Sequence, residues 1–236
     1  IEKVYGFGIG RQKYFLDENV YLKKDDLKLN YTNQSIKFLE GFNILSVFNE
    51  KFLDIDTQGK LDFASNYSNL PKPWVCFGVD STETNRIWPQ KNFAELADLL
   101  IGNNLAKTIF VINYENHKNY FKEILLNSKN INNFINCKSL NRSEIIHLIA
   151  ICDYFVGVDS GPSNVSGAFN KKTFSIIGPT DATLPRFVSM KKIISDIYDK
   201  SREVGINRSG DNFIQNDSEV KTITTQKVFS TIVKYL

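Results

Sequence analysis

The stretch Tyr154-Phe155-Val156-Gly157-Val158-Asp159-Ser160-Gly161-Pro162-Ser163-Asn164 decides the fold. Its first five residues form a short apolar run, and a polar turn containing glycine and proline follows. The next residues, Val165 to Phe169, read as the start of a helix. A buried strand that ends in such a turn and enters a helix is half of a βαβ unit. The helix start also offers free N–H groups and the positive end of a dipole to an anion, and Gly161 lets the backbone approach it closely. Asp159 has two readings, a ligand contact or an Asx-type brace of the turn. The brace is favoured, because a carboxylate facing a phosphate would repel it. The whole turn is equally readable as an ordinary helix cap.

The same pattern recurs on both sides. Upstream, Trp74 to Gly78 is an apolar run ending in the turn Gly78-Val79-Asp80-Ser81-Thr82, which continues to Arg86-Ile87-Trp88-Pro89. Asn92 is expected to cap the next helix, with Glu95 as its capping-box partner. Phe93, Leu96, Ala97, Leu100 and Ile101 then make one apolar face. Thr108 to Ile112 reads as a strand and Tyr120 to Leu126 as a helix. Ser143 opens another, with Ile145, Ile146, Leu148 and Ile149 facing inward. Downstream, the strand Thr173 to Ile177 ends in Gly178-Pro179-Thr180-Asp181, and Thr224 or Thr225 caps a last helix through Val228, Ile232 and Val233. Strands and helices alternating at this spacing predict an α/β fold with a parallel sheet. Ligands of such sheets bind beyond the carboxyl ends of the strands. There Ser81, Thr82 and Arg86 offer two hydroxyls and a guanidinium suited to a diphosphate, although a lone arginine is usually a surface residue. Trp88-Pro89 is expected to pack its loop against the sheet.

Residues 1–70 are weakly patterned: a short strand around Val4 to Ile9, the charged Lys23-Lys24-Asp25-Asp26, and Phe42 to Leu53 as strand or loop. Pro71-Lys72-Pro73 reads as a linker, which divides the chain into 1–70 and 71–236. Composition sets the class. Of 236 residues, 42% are hydrophobic, 23% charged and 13% aromatic, which excludes wholesale disorder. A net charge of +3 is too balanced for a nucleic-acid binder. Lysine supplies 23 of the 29 basic residues and asparagine and isoleucine 25 residues each, against 7 alanines, the bias an AT-rich genome writes. Scattered Lys and Asn are therefore weak signals, and the six arginines are stronger ones. Cys76, Cys137 and Cys152 lie far apart, without metal-ligand spacing, and read as buried free thiols of a reducing compartment.

The chain opens at Ile1 without Met or a leader pattern. Its longest apolar stretch, Leu148 to Val158, is interrupted by Asp153 and falls short of the roughly 18 residues of a membrane span. A soluble intracellular protein, or part of a longer one, is expected. Asp54-Ile55-Asp56 matches the Asp-x-Asp of metal-dependent glycosyltransferases and faintly the nucleophile motif of haloacid-dehalogenase-type phosphatases, but Gln58 stands where the latter wants Thr. His147 falls in a helix pattern, and no Gly-x-Ser-x-Gly, Walker loop or His-Glu-x-x-His occurs.

Taken together, the three turns resemble the C-terminal half of glycosyltransferase family 9, the ADP-heptose:lipopolysaccharide heptosyltransferases. Arg86-Ile87-Trp88-Pro89-Gln90-Lys91-Asn92-Phe93-Ala94-Glu95-Leu96-Ala97 resembles the family's Lys-x-Trp-Pro…Phe-Ala-Glu-Leu-Ala. Val156-Gly157-Val158-Asp159-Ser160-Gly161-Pro162 resembles its Val-Gly-x-Asp-Ser-Gly-Pro, and Ile177-Gly178-Pro179-Thr180-Asp181 its Phe-Gly-Pro-Thr-Asp. Order and spacing fit from Trp74 to Asp181, and residues 1–16 resemble the end of the family's N-terminal domain more loosely.

The resemblance implies a GT-B glycosyltransferase of two Rossmann-like domains. Residues 71–236 would be the donor-binding domain and 1–70 a remnant of the acceptor-side domain. Ser81, Thr82 and Arg86 would contact the donor diphosphate, and the backbone at Ser160, Gly161 and Pro162 would cradle the phosphates, with Asp159 and Asn164 beside them. Glu115 matches the family's ribose-binding Glu, with His117 competing for that position. The implied reaction moves a sugar, heptose by resemblance, from a nucleoside-diphosphate donor to a lipopolysaccharide-core or related glycan. It uses no metal or other cofactor, runs in the cytoplasm at the inner face of the cytoplasmic membrane, allows a peripheral membrane contact and involves no nucleic acid. Two departures stand out. Arg86 replaces the usual Lys and keeps its charge, whereas Asn164 replaces the usual His and loses it. Roughly 70 residues are too few for a complete Rossmann-like domain, so no catalytic base is assigned. The alternative expectation is a non-catalytic nucleotide-sugar binding module from a truncated or degenerate chain.

Overall fold

The computed structural model describes residues 5–7, 14–15, 18–20, 36–37, 39–40, 53, 55, 57–113, 119–179, 187–198 and 218–236. Near the start, β1 (Tyr5–Phe7), inside the strand expected at Val4 to Ile9, pairs in parallel with β2 (Glu18–Val20). Then follow α1 (Thr57–Ser65), β3 (Trp74–Gly78), α2 (Gln90–Gly102), β4 (Thr108–Ile112), α3 (Tyr120–Asn127) and β5 (Phe134–Asn136). The second half runs α4 (Arg142–Ile151), β6 (Tyr154–Val158), α5 (Gly161–Ala168), β7 (Thr173–Ile177), β8 (Met190–Ile194), α6 (Ser218–Thr222) and α7 (Thr225–Tyr235). Strands β3 to β8 form one sheet in the order β5-β4-β3-β6-β7-β8, parallel throughout. This is the doubly wound order of Rossmann-like proteins, and its direction reverses between β3 and β6.

The strands are apolar on both faces because both faces are covered. Val75 and Phe77 join one core with Phe93, Leu96 and Leu100 of α2, Ile124 of α3, and Val228 and Ile232 of α7. Trp74 and Cys76, pointing the other way, join Ile145, Leu148 and Ile149 of α4. Phe63, Tyr67 and Leu70, on and just after α1, pack against that second core. The Pro71-Lys72-Pro73 stretch is tied to the sheet as well: Pro71 accepts from Thr108 Oγ1 at 2.8 Å, and Pro73 from the amides of Lys107 and Thr108. Cys76, Cys137 and Cys152 are buried free thiols.

Three helix details correct the sequence reading. Pro89, not Asn92, precedes α2, so Asn92 lies inside the first turn. Glu95 is drawn elsewhere, accepting from Thr225 Oγ1 at 3.1 Å and pairing with Lys91 at 3.8 Å. The capping box sits instead on α4, where Asn141 accepts from the Glu144 amide and Glu144 from the Asn141 amide; Ser143 is already helical. Thr224 caps α7 as expected, but Val233 points outward. Three strands, β2, β5 and β8, escaped the sequence reading. The first two are only three residues long, and the last, Met190-Lys191-Lys192-Ile193-Ile194, carries lysines because it is an edge strand.

Candidate functional site

The close approach of β3 and β6 fixes the site. A Cβ on Gly157 would stand 2.6 Å from the Gly78 carbonyl oxygen, and one on Gly78 would stand 2.5 Å from the Phe155 ring. Only glycines let these two strands sit side by side, so both expected turns emerge next to each other at the carboxyl edge of the sheet. From β3, Asp80 is buried and its carboxylate accepts from the Ser81 amide at 2.8 Å, which fixes the turn. Ser81 is buried beside it and its hydroxyl accepts from the Glu83 amide at 3.5 Å, while Thr82 is exposed. The chain then makes a single 3₁₀ turn, Thr84–Arg86.

Trp88 anchors that loop. It is fully buried, meets Phe93 edge to face with centroids 4.8 Å apart, and donates from Nε1 to the Ile223 carbonyl at 2.8 Å. The expectation that Trp88 packs the loop holds, and the same bond ties the α6–α7 connection to it. Arg86 is thereby presented toward the second turn, its guanidinium 3.7 Å from the Asp159 carboxylate. The Asp159 side chain faces Arg86 across the turns and pairs with that cation.

At the second turn, Ser160 is extended and precedes α5, but its hydroxyl makes no cap bond and is buried without a partner. Gly161 is the first residue of α5, and a Cβ there would meet nothing within 4 Å. Pro162 is buried in the first turn, where a missing N–H costs nothing. Asn164 donates from Nδ2 to the Ser160 carbonyl at 3.1 Å. The helix is held at its angle by hydroxyl pairs to β7, Ser163 with Ser175 and Ser166 with Thr173, each 2.7 Å. The third turn packs on the first: a Cβ on Gly178 would stand 2.8 Å from Val220 and 3.3 Å from the Asn85 carbonyl.

The structure thus brings Ser81, Thr82, Arg86, Asp159, Ser160, Gly161, Pro162 and Asn164 to one edge. Glu115, His117, Asp54, Asp56, Thr180 and Asp181 lie outside the described residues. His147 is a helix residue, bonded through Nδ1 to the Ser143 carbonyl at 2.8 Å and lying 5.6 Å from the Phe63 ring. Sequence reasoning missed two further residues, Asn85 and Asn113, whose side-chain oxygens are buried and unpartnered at the same edge. Among so many asparagines nothing in the sequence marks them. Nearby, burial and the Asp80 carboxylate push the Tyr120 phenol upward, with Glu123 adding to the effect. Among the described residues no group of three or more His, Cys, Asp or Glu is placed to hold a metal ion.

A helix N-terminus with an open glycine, a free hydroxyl and a facing guanidinium is an anion site suited to a diphosphate. The model of glycosyltransferase family 9 (heptosyltransferase) matches residues 49–211, which include all three turns. The chain belongs to that family. Among family 9 relatives, lipooligosaccharide heptosyltransferase 2 of Campylobacter jejuni is 30% identical over 189 residues, covering 73% of this chain and 52% of that protein. Lipopolysaccharide heptosyltransferase 1 of Campylobacter coli is 27% identical over 148 residues, covering 61% and 41%. The chain spans about half the length of the curated relatives it matches. Two solved structures are among those that share the fold. One is the Escherichia coli ADP-heptose lipopolysaccharide heptosyltransferase II, with TM-score 0.68 and 17% identity over 99% of this chain and 70% of that one. The other is the family 9 glycosyl transferase of Veillonella parvula, with TM-score 0.67 and 15% identity over 91% and 62%. The α/β, Rossmann-like, GT-B type fold expected from the resemblance is the one present. No helix among the described residues is long and apolar enough to cross a membrane.

Proposed function

We propose that this chain carries the donor side of a glycosyltransferase that moves heptose from ADP-heptose to a lipopolysaccharide-core glycan. The observation that carries the reading is the open N-terminus of α5, where the Ser160 hydroxyl has no partner and Gly161 faces free space. The diphosphate of the donor lies there, accepting from backbone N–H groups and from the Ser160 hydroxyl. Arg86 leaves Asp159 to meet it, since a dianionic ligand outbids one carboxylate at 3.7 Å. As the sugar departs, negative charge grows on the leaving nucleoside diphosphate, and Arg86 and the helix dipole are already placed to stabilise it. The guanidinium and dipole supply that charge in our reading, so the transfer runs without a metal. The acceptor side and the base that deprotonates the acceptor hydroxyl belong to a part of the enzyme beyond this site, and a membrane-face location follows from the glycolipid nature of the acceptor.

A second reading, a binding module that holds the nucleotide sugar without transferring it, draws on Asn164. That side chain is neutral and bonded to Ser160, so it supplies no charge to a leaving group. Calorimetric titration with ADP, ADP-heptose and UDP-GlcNAc, each with and without EDTA, tests both. Binding that favours ADP-heptose and ignores EDTA is expected, and loss of that binding in Arg86→Ala ties it to this site. Binding of none, or equal binding by Arg86→Ala, overturns the donor reading. Tight ADP-heptose binding without transfer by the longest chain that contains this sequence selects the module.

A further inference from the structure

The segment that carries Ser81, Thr82 and Arg86 runs from Val79 to Trp88, between β3 and α2. Each end is moored to the body of the protein. The Val79 amide donates to the Ile112 carbonyl at 3.4 Å, and the Trp88 indole to the Ile223 carbonyl at 2.8 Å. Between these moorings the bonds are local. The Asp80 carboxylate accepts from the Ser81 amide and the Ser81 hydroxyl from the Glu83 amide. The Glu83 carbonyl accepts from the Arg86 amide at 3.0 Å, and the Thr84 carbonyl from the Ile87 amide at 3.2 Å. Such bonds shape a turn without setting the angle at which it leaves the sheet.

The side chain of Gln90 joins the two ends. Gln90 is the first residue of α2 and is 6% exposed. Its Nε2 donates to the Trp88 carbonyl at 3.3 Å and to the Val79 carbonyl at 3.5 Å. Both neighbours are acceptors, which only the N–H end of an amide can face, so chemistry fixes the way the amide points. Its Oε1 is buried and has no partner. Two long hydrogen bonds set against one bare buried acceptor leave little net stability. What the amide supplies is geometry: it fixes the separation of the carbonyls on either side of the loop, and with it the direction in which the loop leaves β3. That direction decides where Arg86 stands, 3.7 Å from the Asp159 carboxylate of the second turn. A guanidinium meets a phosphate through a planar fork, whose two bonds depend on placement and angle. A displacement of about 1 Å in a supporting element can cost about a hundredfold.

We propose that Gln90 is a positioning residue of the donor site, its amide bridging Val79 and Trp88 so that the Arg86 fork meets the diphosphate; this rests on the donor reading above. The test titrates ADP and inorganic diphosphate into the unaltered chain, Gln90→Met, Gln90→Asn, Arg86→Lys and Gln90→Met combined with Arg86→Lys, at a temperature where circular dichroism shows each to be folded. Gln90→Met keeps the length of the side chain without its donors, and it binds both ligands about tenfold more weakly. Gln90→Asn keeps the amide on a stem too short to bridge both carbonyls and loses affinity in the same direction. Lysine carries a point charge on a flexible stem, which reaches the phosphate from a displaced loop as well as from a fixed one. In the Arg86→Lys background Gln90→Met therefore costs about twofold or less, the failure of additivity that marks one residue acting through another. A merely structural amide lowers Tm and leaves the two losses additive. Undiminished binding by Gln90→Met and Gln90→Asn, or the same loss from Gln90→Met in both backgrounds, overturns this proposal and leaves the donor reading standing. Failure of the unaltered chain to bind either ligand removes the donor reading and this proposal with it.

Discussion

The two edges of the six-stranded sheet, where its strands begin and where they end, finish differently. Where the strands begin, the polar groups find partners within the protein. Asp153 accepts from the Trp74 amide at 2.6 Å and lies 4.0 Å from Lys72, which also sits over the Trp74 ring. Lys171 donates to the Cys152 carbonyl that closes α4, and Lys172 to the Leu236 carbonyl that closes α7. These lysines line hollows of about 500 and 440 Å³, but they serve helix C-termini, where the dipole calls for positive charge. Where the strands end, Ser160, Asn85 and Asn113 keep buried oxygens without partners, and Gly161 faces open space. A cationic hollow satisfied by the fold is not a site, whereas a smaller set of unsatisfied groups is the better guide to one.

Two glycines of a single motif give the sharpest way to break this comparison. Gly157 is closed in by backbone, so Gly157→Ala must push β6 away from β3. We expect a loss of about 3 kcal/mol in urea denaturation, the upper part of the overpacking range. A midpoint like that of the unaltered chain would show that the strands part freely. Gly161→Ala adds its methyl to empty space on a helix, so stability should hold or rise by about 0.5–1 kcal/mol. The same methyl stands in the path of the phosphate, and we expect ADP affinity to fall about tenfold or more, the worth of a charge-assisted hydrogen bond. Unchanged ADP affinity would mean that the open end of α5 is not where the ligand lies.

A smaller effect is expected at the closed edge. Asp153→Ala strips the Trp74 amide of its acceptor and should cost about 1–2 kcal/mol by chemical denaturation. Its ADP affinity should equal that of the unaltered chain, because the two edges share no partner. A weakened ADP affinity in a folded Asp153→Ala protein would show that the edges are coupled and that the comparison is too simple.

Much of this was legible in the sequence, for physical reasons that differ by element. Buried parallel strands are continuous apolar runs, so β3, β4, β6 and β7 announced themselves, and the turns after β3, β6 and β7 carried enough glycine, proline and hydroxyls to be singled out. Trp88 was read correctly as packing because an indole beside Pro89 and before an apolar helix has a core to enter. The α2 cap was missed because Asn92 and Glu95 have the right spacing, yet Glu95 is engaged by Thr225, 130 residues away. Asn141 and Glu144 have the same spacing and do form the box. Local pattern cannot choose between such pairs, because tertiary partners make the choice. Arg86 and Asp159 were each seen, but that they face one another depends on strand order, which no local signal encodes. Asn113 and Asn85 were invisible, since in a chain with 25 asparagines only burial without a partner distinguishes them.

The smallest expected effect is alkaline, and it too separates the edges. Burial pushes the thiols of Cys76 and Cys137 and the phenol of Tyr154 above their ordinary values, and pushes the Lys171 ammonium below its own. A buried thiol stays protonated in the folded protein above the ordinary thiol value of 9.0, while the unfolded chain releases its proton. The folded state then holds more protons, so stability falls as pH rises past 9.0, and Tyr154 adds to the fall above 10.0. Lys171 acts in the opposite sense. Between its lowered value and 10.5 the unfolded chain holds more protons, so stability recovers with pH across that window. The thiols and phenols outnumber Lys171, so urea midpoints should be lower at pH 10 than at pH 7, with Cys137→Ala showing a shallower drop and Lys171→Met a steeper one. Cys76, Tyr154 and Lys171 belong to the sheet interior or to the edge where the strands begin, and Cys137, just past β5, is buried in the core against α4. The additional stability conferred by saturating ADP should therefore be the same at pH 7 and pH 8.5. An ADP effect that changes between those values would place a titrating group at the open edge, and the division between an edge completed by protein and one completed by ligand would have to be redrawn around it.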